Sequence, residues 1–239
     1  MTRGASRVLG TVAAIWRYPV KSMKAEALAT ANVGWQGIAG DRRWAFIRPN
    51  MEHSGFPWLT IRQLPSLCRY EPRYQDPDNP ERSETLVRTP NGREYLVTHP
   101  DLAAALGDGV RVMRQDRGVF DTMPLSLITT TSVASVGERT GMALNPLRFR
   151  PNLLVEPADD GAFPEDEWVG AVLRIGDMCF RVDKRDERCV TVNVDPETTE
   201  RHDGVLRAIA QSHDACLGVY GTPVQPGLIR QGDAVILEG

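Results

Sequence analysis

Glycine and proline punctuate this chain so densely, 21 and 17 times in 239 residues, that its apolar runs stay short. Short runs rich in branched and aromatic residues, each closed by a turn residue, read as strands of a closed or strongly curved sheet. Val8–Trp16 is the longest of them, with Pro19 ending it. Trp44–Ile47, Leu59–Ile61, Thr85–Val87, Tyr95–Thr98 and Arg111–Arg114 follow, then Leu153–Val155, Val172–Ile175, Cys179–Val182, Gly218–Tyr220 and Ala234–Leu237. Pro72, Pro77 and Pro80 with Asp76, Asp78 and Asn79 mark a long polar loop, and the glycines and prolines of 221–227 mark turns. Three helices are expected. Asp101–Leu106 has Pro100 at its start and Gly107 past its end; a second runs from near Thr131 to before Gly141; Gly204–Ser212 carries Leu206, Ile209 and Ala210 on one face. The fold class is mainly β with α, a β-barrel architecture with accessory helices.

Composition removes several function classes. An apolar content of 41% and a charged content of 25% belong to an ordinary globular chain. No run approaches the roughly 18 apolar residues of a membrane helix. The opening stretch carries Arg3 and Arg7 without an apolar run and cleavage site, so no signal peptide is read. A net charge of -3 argues against a nucleic-acid partner. The expected location is the cytoplasm. No dinucleotide fingerprint, phosphate loop or nucleophile elbow is present. The acidic residues Asp159, Asp160 and Glu165–Glu167 lie among glycine and proline, as in a solvated loop. Four histidines (His53, His99, His202, His213) form no close pair and read as surface or structural residues.

The four cysteines divide by context. Cys68, in a strand-like stretch, Cys179 and Cys216 sit between apolar or mixed neighbours, as small core residues do. Cys189 ends a polar run in which Arg181, Lys184, Arg185 and Arg188 outnumber Asp183, Asp186 and Glu187. Neighbouring cations favour the thiolate, the form that attacks electrophiles and binds soft metals. On composition alone, an unremarkable strand-edge cysteine is the slightly favoured reading.

Motifs narrow that choice. Arg188-Cys189-Val190 followed by Val194-Asp195-Pro196-Glu197-Thr198 resembles the cysteine segment of the MOSC family, named for the C-terminal domain of molybdenum cofactor sulfurase. Tyr18-Pro19-Val20-Lys21-Ser22 and Gly40-Asp41-Arg42-Arg43-Trp44 resemble the two motifs of its accompanying N-terminal β-barrel. Arg148-Phe149-Arg150-Pro151-Asn152, Leu217-Gly218-Val219-Tyr220 and Gly232-Asp233 follow in the family's order. The resemblance is to the amidoxime-reducing group of that family.

It implies an N-terminal β-barrel domain over residues 1–118, packed on a MOSC β-barrel over 119–239, with a molybdenum cofactor (Mo-molybdopterin) between them. Cys189 would be the catalytic cysteine and the protein's ligand to molybdenum. Lys21, Ser22, Arg42, Arg150, Asn152 and Arg188 would meet the pterin's phosphate and polar edge, because forked charged donors suit those groups. Asp121, Thr122 and Met123 would line the cofactor. Tyr220 would join them, although a strand tyrosine also packs well without a ligand. Taken singly, each arginine also reads as a surface ion-pair partner.

The implied reaction is two-electron reduction of an N-hydroxylated or N-oxide small molecule. A separate flavoprotein, ferredoxin or haem protein would supply the electrons. The alternative is a carrier that holds molybdenum cofactor, or a sulfur atom as a persulfide, on Cys189. Pyridoxal phosphate is not excluded by any of these motifs. The chain is expected to lack the ferredoxin-like domain of some bacterial members and the membrane anchor of the mitochondrial ones. Glu187 departs from those relatives, which carry an uncharged residue two places before the cysteine; it would either repel an anionic cofactor or pair with Arg185 or Lys184.

Overall fold

The computed structural model describes residues 6–51 and 53–238. Residues 1–5, Glu52 and Gly239 lie outside it, and with them Arg3 and the outer ends of the two expected domains. Seven strands close on themselves: β1 (Arg7–Arg17), β2 (Leu125–Thr129), β3 (Leu153–Pro157), β4 (Val172–Ile175), β5 (Met178–Glu187), β6 (Cys216–Gln225) and β7 (Ala234–Leu237). Around the barrel the order is β3, β2, β6, β5, β4, β7, β1, and β1 pairs again with β3. The barrel therefore takes one strand from the first part of the chain and six from beyond residue 118. Among the described residues no helix is long and apolar enough to cross a membrane.

The barrel is filled by alternate residues of its strands. Val12, Ile15, Leu125, Leu127, Leu153, Leu173, Ile175, Phe180, Val182, Val219 and Val235 are all buried in one cluster. The intervening residues of β1 to β7 face outward, the period-2 pattern of a pleated strand. Helices α2 (Thr130–Thr140) and α3 (Gly204–His213) cover one flank over Ile128, Val136, Phe149, Val205, Ile209 and Leu217. The segment from 44 to 114 forms small sheets around a second core of Met23, Phe46, Leu67, Val87 and Leu102, with α1 (Pro100–Leu106) closing it. His99 caps α1, its Nδ1 accepting from the Asp101 amide.

Several expectations are corrected. Leu59–Ile61 is not a strand, although Leu59 and Ile61 are buried in the second core. Cys68 lies in a 3-10 turn (Pro65–Arg69), and of the three presumed core cysteines only Cys68 is buried. The acidic stretch is not wholly solvated. Glu165 is fully buried and accepts from the hydroxyls of Thr129 and Ser132 at the start of α2. Strand β5 runs five residues past Val182 through charged residues, and β6 runs through the expected turn at 221–225. The backbone explains β6. A Cβ on Gly221 would stand 2.0 Å from the Arg181 carbonyl oxygen, so glycine there permits close pairing instead of marking a turn.

Candidate functional site

Where β5 and β6 pass beyond the barrel, they open a cavity of about 400 Å³ against the segment around residues 18–62. That size suits a small-molecule or cofactor site. Lys21, Ser22, Arg42, Asp121, Thr122, Arg150, Arg188, Cys189 and Tyr220 all line it. Met123 and Asn152 do not; Asn152 stands behind the wall, 1% exposed.

The first wall is a buried stack. Tyr18, 1% exposed, lies between two guanidinium groups, Arg42 at 4.6 Å and Arg150 at 4.3 Å from its ring centre. Its hydroxyl donates to the Pro151 carbonyl at 3.0 Å. Arg42 pairs with Asp41 and donates to the Arg150 carbonyl at 3.1 Å. Asp41 also accepts from the Tyr18 amide at 2.7 Å and from Asn152 Nδ2 at 3.2 Å. Asn152 is thus a strut for Asp41, and it ties β1 to the wall through the Trp16 carbonyl. Arg150 donates one nitrogen to the Met23 carbonyl at 2.8 Å; its Nη2 is buried with no partner. Burial, with Arg42 beside it, lowers the Arg150 pKa.

Lys21 and Ser22 reach the cavity because Val20 and Met23 on either side are buried in the second core. The Lys21 ammonium donates to the Val119 carbonyl at 3.0 Å and to Asp121 at 2.5 Å. Burial pulls its pKa down, and Asp121 partly restores it. Ser22, Arg42 and Arg150 share a left-handed backbone, with φ of 67°, 51° and 53°. Non-glycine residues held there mark sites where the fold fixes a side chain at some cost.

The second wall carries the thiol. Cys189 is the N-cap of a 3-10 turn (Val190–Asn193), which is anchored by buried Val192 and Asn193. Its Sγ lies 3.1 Å from the Thr191 hydroxyl. Partial burial pushes the thiol up, but the Thr191 hydroxyl and amide and the Arg62 guanidinium outweigh it, and the net shift is downward. That shift favours the thiolate more than in a free cysteine. Arg188 is pinned by two carbonyls, Leu217 at 2.7 Å and Phe149 at 2.8 Å, which leaves its Nη2 buried and unpartnered. Gly218 permits this. With φ of 76°, its missing Cβ would meet the Leu127 carbonyl at 2.6 Å and the Arg188 guanidinium at 3.2 Å. Arg148, 3% exposed, bridges the walls by donating to the Val192 carbonyl and to Asp195.

Sequence reasoning missed Phe56, Thr60 and Arg62, which line the cavity from an irregular loop. Phe56 lies 5.7 Å from the Lys21 ammonium and 5.9 Å from the Arg62 guanidinium. Only two aromatic residues and one arginine within 56–62 hinted at it. Glu187 borders the cavity and has no ion pair among the described residues; Arg185 instead holds Asp166 and Asp214.

The donor set fits a molybdenum cofactor. Three arginines of the cavity, Arg148, Arg150 and Arg188, each have a buried nitrogen without a partner, forked donors suit a phosphate, and a cysteine with a lowered pKa stands in the same cavity. Among the described residues no group of three or more His, Cys, Asp or Glu is placed to hold a metal alone.

The chain is 27% identical to the molybdenum cofactor sulfurase of Drosophila grimshawi over 85% of its own length, but spans only 31% of that protein. It is 26% identical to the mitochondrial amidoxime-reducing component 1 of Homo sapiens, covering 97% of this chain and 84% of that one. The crystal structure of the YUAD protein from Bacillus subtilis shares the fold, with a TM-score of 0.53, 11% identity and 98% of each chain covered. The MOSC N-terminal beta barrel domain matches residues 9–122. The MOSC domain itself matches residues 114–236, more than half of the sequence, and this chain belongs to the MOSC family.

Proposed function

We propose that the cavity holds a molybdenum cofactor and that the protein is an oxidoreductase reducing N-hydroxylated or N-oxide compounds. The observation that carries this reading is the meeting, in one cavity, of a thiolate-favouring cysteine with buried, partly unpartnered arginines. Arg42, Arg150, Lys21 and Ser22 bind the cofactor's phosphate and polar edge, with Arg188 beside the thiol. Cys189 gives its sulfur to the metal. When bound, the group supplies two-electron oxygen-atom chemistry that no side chain can perform. Asp121, Thr122 and Tyr220 line the space left for substrate. The electrons come from a separate flavoprotein, ferredoxin or haem protein, and the protein works on small molecules in the cytoplasm.

The relatives' names speak of amidoxime reduction and of molybdenum cofactor sulfuration. A carrier that passes cofactor or sulfur from Cys189 is therefore the second reading. One experiment separates them. The chain, made in a molybdenum-replete host, is assayed for metal and for pterin fluorescence, then chemically reduced and given an amidoxime for a single turnover. Bound cofactor with stoichiometric amidine product supports the enzyme; bound cofactor without product favours the carrier. With NADH alone and no added reductase, steady turnover is expected to be absent, and its presence would overturn the need for a partner.

A further inference from the structure

Asp186, three residues before Cys189, has no role in the assignments above, yet it borders the same cavity. Its side chain is 2% exposed. A buried carboxylate ordinarily collects hydrogen-bond donors. Here Oδ2 is buried with no hydrogen bond, although an Arg188 nitrogen lies 2.9 Å away. The reason is on the other side of Arg188. Its guanidinium is aimed at the Leu217 and Phe149 carbonyls, so its N–H bonds do not point at Asp186.

A cation that is close but misaligned stabilises the anion less than desolvation destabilises it. Burial accordingly pushes the Asp186 carboxyl up to about 6, against Arg188, Arg42 and Lys184, and Asp121 adds to the rise. The other titratable groups facing it are Tyr220 and Cys216, and burial raises both above their ordinary range. No neighbouring acid suits proton transfer as well. Asp121 is exposed, and Lys21 holds its carboxyl below the usual carboxylate range. Tyr220 keeps its proton too tightly, and Glu187 is solvent-exposed.

We propose that Asp186 is a catalytic residue, the acid that protonates the departing oxygen of an N-oxygenated substrate in this cavity. This rests on the reading of the site as a reductase. Reduction of R–NH–OH to R–NH2 breaks the N–O bond and consumes two electrons and two protons, releasing water. The electrons come from the separate redox protein, one proton from the Asp186 carboxyl and the other from solvent. Cavity water then reprotonates Asp186.

The test uses the cofactor-loaded full chain with Asp186→Asn and Asp186→Glu, with turnover expressed per molybdenum. Asp186→Asn preserves the shape of the neutral acid but cannot give up a proton. Its kcat should fall about a hundredfold near neutral pH, with metal and pterin content preserved and the melting temperature not lowered. Wild-type kcat should decline as pH rises past the Asp186 carboxyl, and the Asn variant should lose that limb. Asp186→Glu should recover part of the rate with a displaced limb. Infrared spectra should show a protonated-carboxyl band in the wild type that fades as pH rises and is missing from Asp186→Asn. A variant with wild-type kcat and an intact limb would overturn the assignment, and so would one that loses cofactor instead of turnover. A loaded wild-type chain that cannot reduce an N–O bond in one turnover would overturn the reductase reading, and the acid role with it.

Discussion

Two carboxylates are buried on opposite sides of one cavity, and they are treated differently. Asp41 is surrounded by donors: the Tyr18 amide, Asn152 Nδ2 and the Arg42 guanidinium all address it. Asp186 has a cation beside it and no aligned donor. The wall around Asp41 holds that carboxylate from several sides, and it fixes shape and affinity. The thiol wall leaves its carboxylate unsatisfied: Asp186 Oδ2 and Arg188 Nη2 are buried without a hydrogen bond. Buried polar groups lacking partners are costly, so a buried carboxylate left without donors points to where chemistry happens.

The largest effect expected from this contrast is at Cys189. Cys189→Ser should fold normally and lose all turnover, because a hard hydroxyl replaces the soft sulfur. Pterin should be partly retained, since the opposite wall is untouched. Turnover and melting temperature of four Cys→Ser variants check this. Cys68→Ser should keep activity and lose about 1–3 kcal/mol, as its site is buried. Cys179→Ser and Cys216→Ser, only partly buried, should stay within about 0.5 kcal/mol of wild type. Wild-type turnover per molybdenum in Cys189→Ser would remove the distinction between the two walls.

The next effect separates two arginines of the same wall. Arg42→Ala leaves Asp41 buried without its cation, a loss of about 3–5 kcal/mol in stability. Arg150→Ala removes a cation that has no carboxylate partner among the described residues, so its cost in stability should be much smaller. Both should weaken cofactor binding, by about ten- to hundredfold for a lost charged hydrogen bond. Denaturation midpoints and pterin content measured together test this. Equal destabilisation by the two variants would mean that the Asp41 cluster is not the source of the rigidity.

How far these walls were legible in the sequence follows the same division. Lys21, Ser22, Arg42, Arg150, Arg188 and Cys189 stand in contiguous motifs, and the fold brings all of them to the cavity. Asn152 sits in a motif too, but nothing local distinguishes a residue that lines a cavity from one that braces its wall. Asp186 was hidden differently. In the run from Arg181 to Arg188 it looks like one more solvated charge, yet β5 continues through that run because it pairs with β6. Pairing between residues some 30 positions apart leaves no local signature. Nor do the left-handed conformations of Ser22, Arg42 and Arg150, residue types that rarely adopt them. Barrel strands such as Val172–Ile175 and Ala234–Leu237 were readable because burial on one face writes itself into the residues.

The smallest effect bears directly on the two carboxylates, and it depends on pH. The folded chain raises the Asp186 pKa from 3.8 to about 6, so the folded state holds this proton more tightly than the unfolded state does. The resulting stability is fully present below pH 4, declines as pH rises through about 6, and is absent above it. Two pKa units correspond to about 3 kcal/mol, an upper figure for a group whose surroundings can relax. Asp186→Asn deletes the titration but keeps the shape. Its stability relative to wild type should therefore rise between pH 4 and pH 7 by up to that amount, and level off at higher pH. Urea denaturation of both proteins, freed of cofactor so that binding does not contribute, measures the difference at each pH. Carboxylates held below their ordinary range, such as Asp195, drive the opposite trend, but they are common to both proteins and cancel. If the difference were flat across this range, Asp186 would be an ordinary ionised partner of Arg188. The two walls of the cavity would then be alike in the respect that matters for proton transfer.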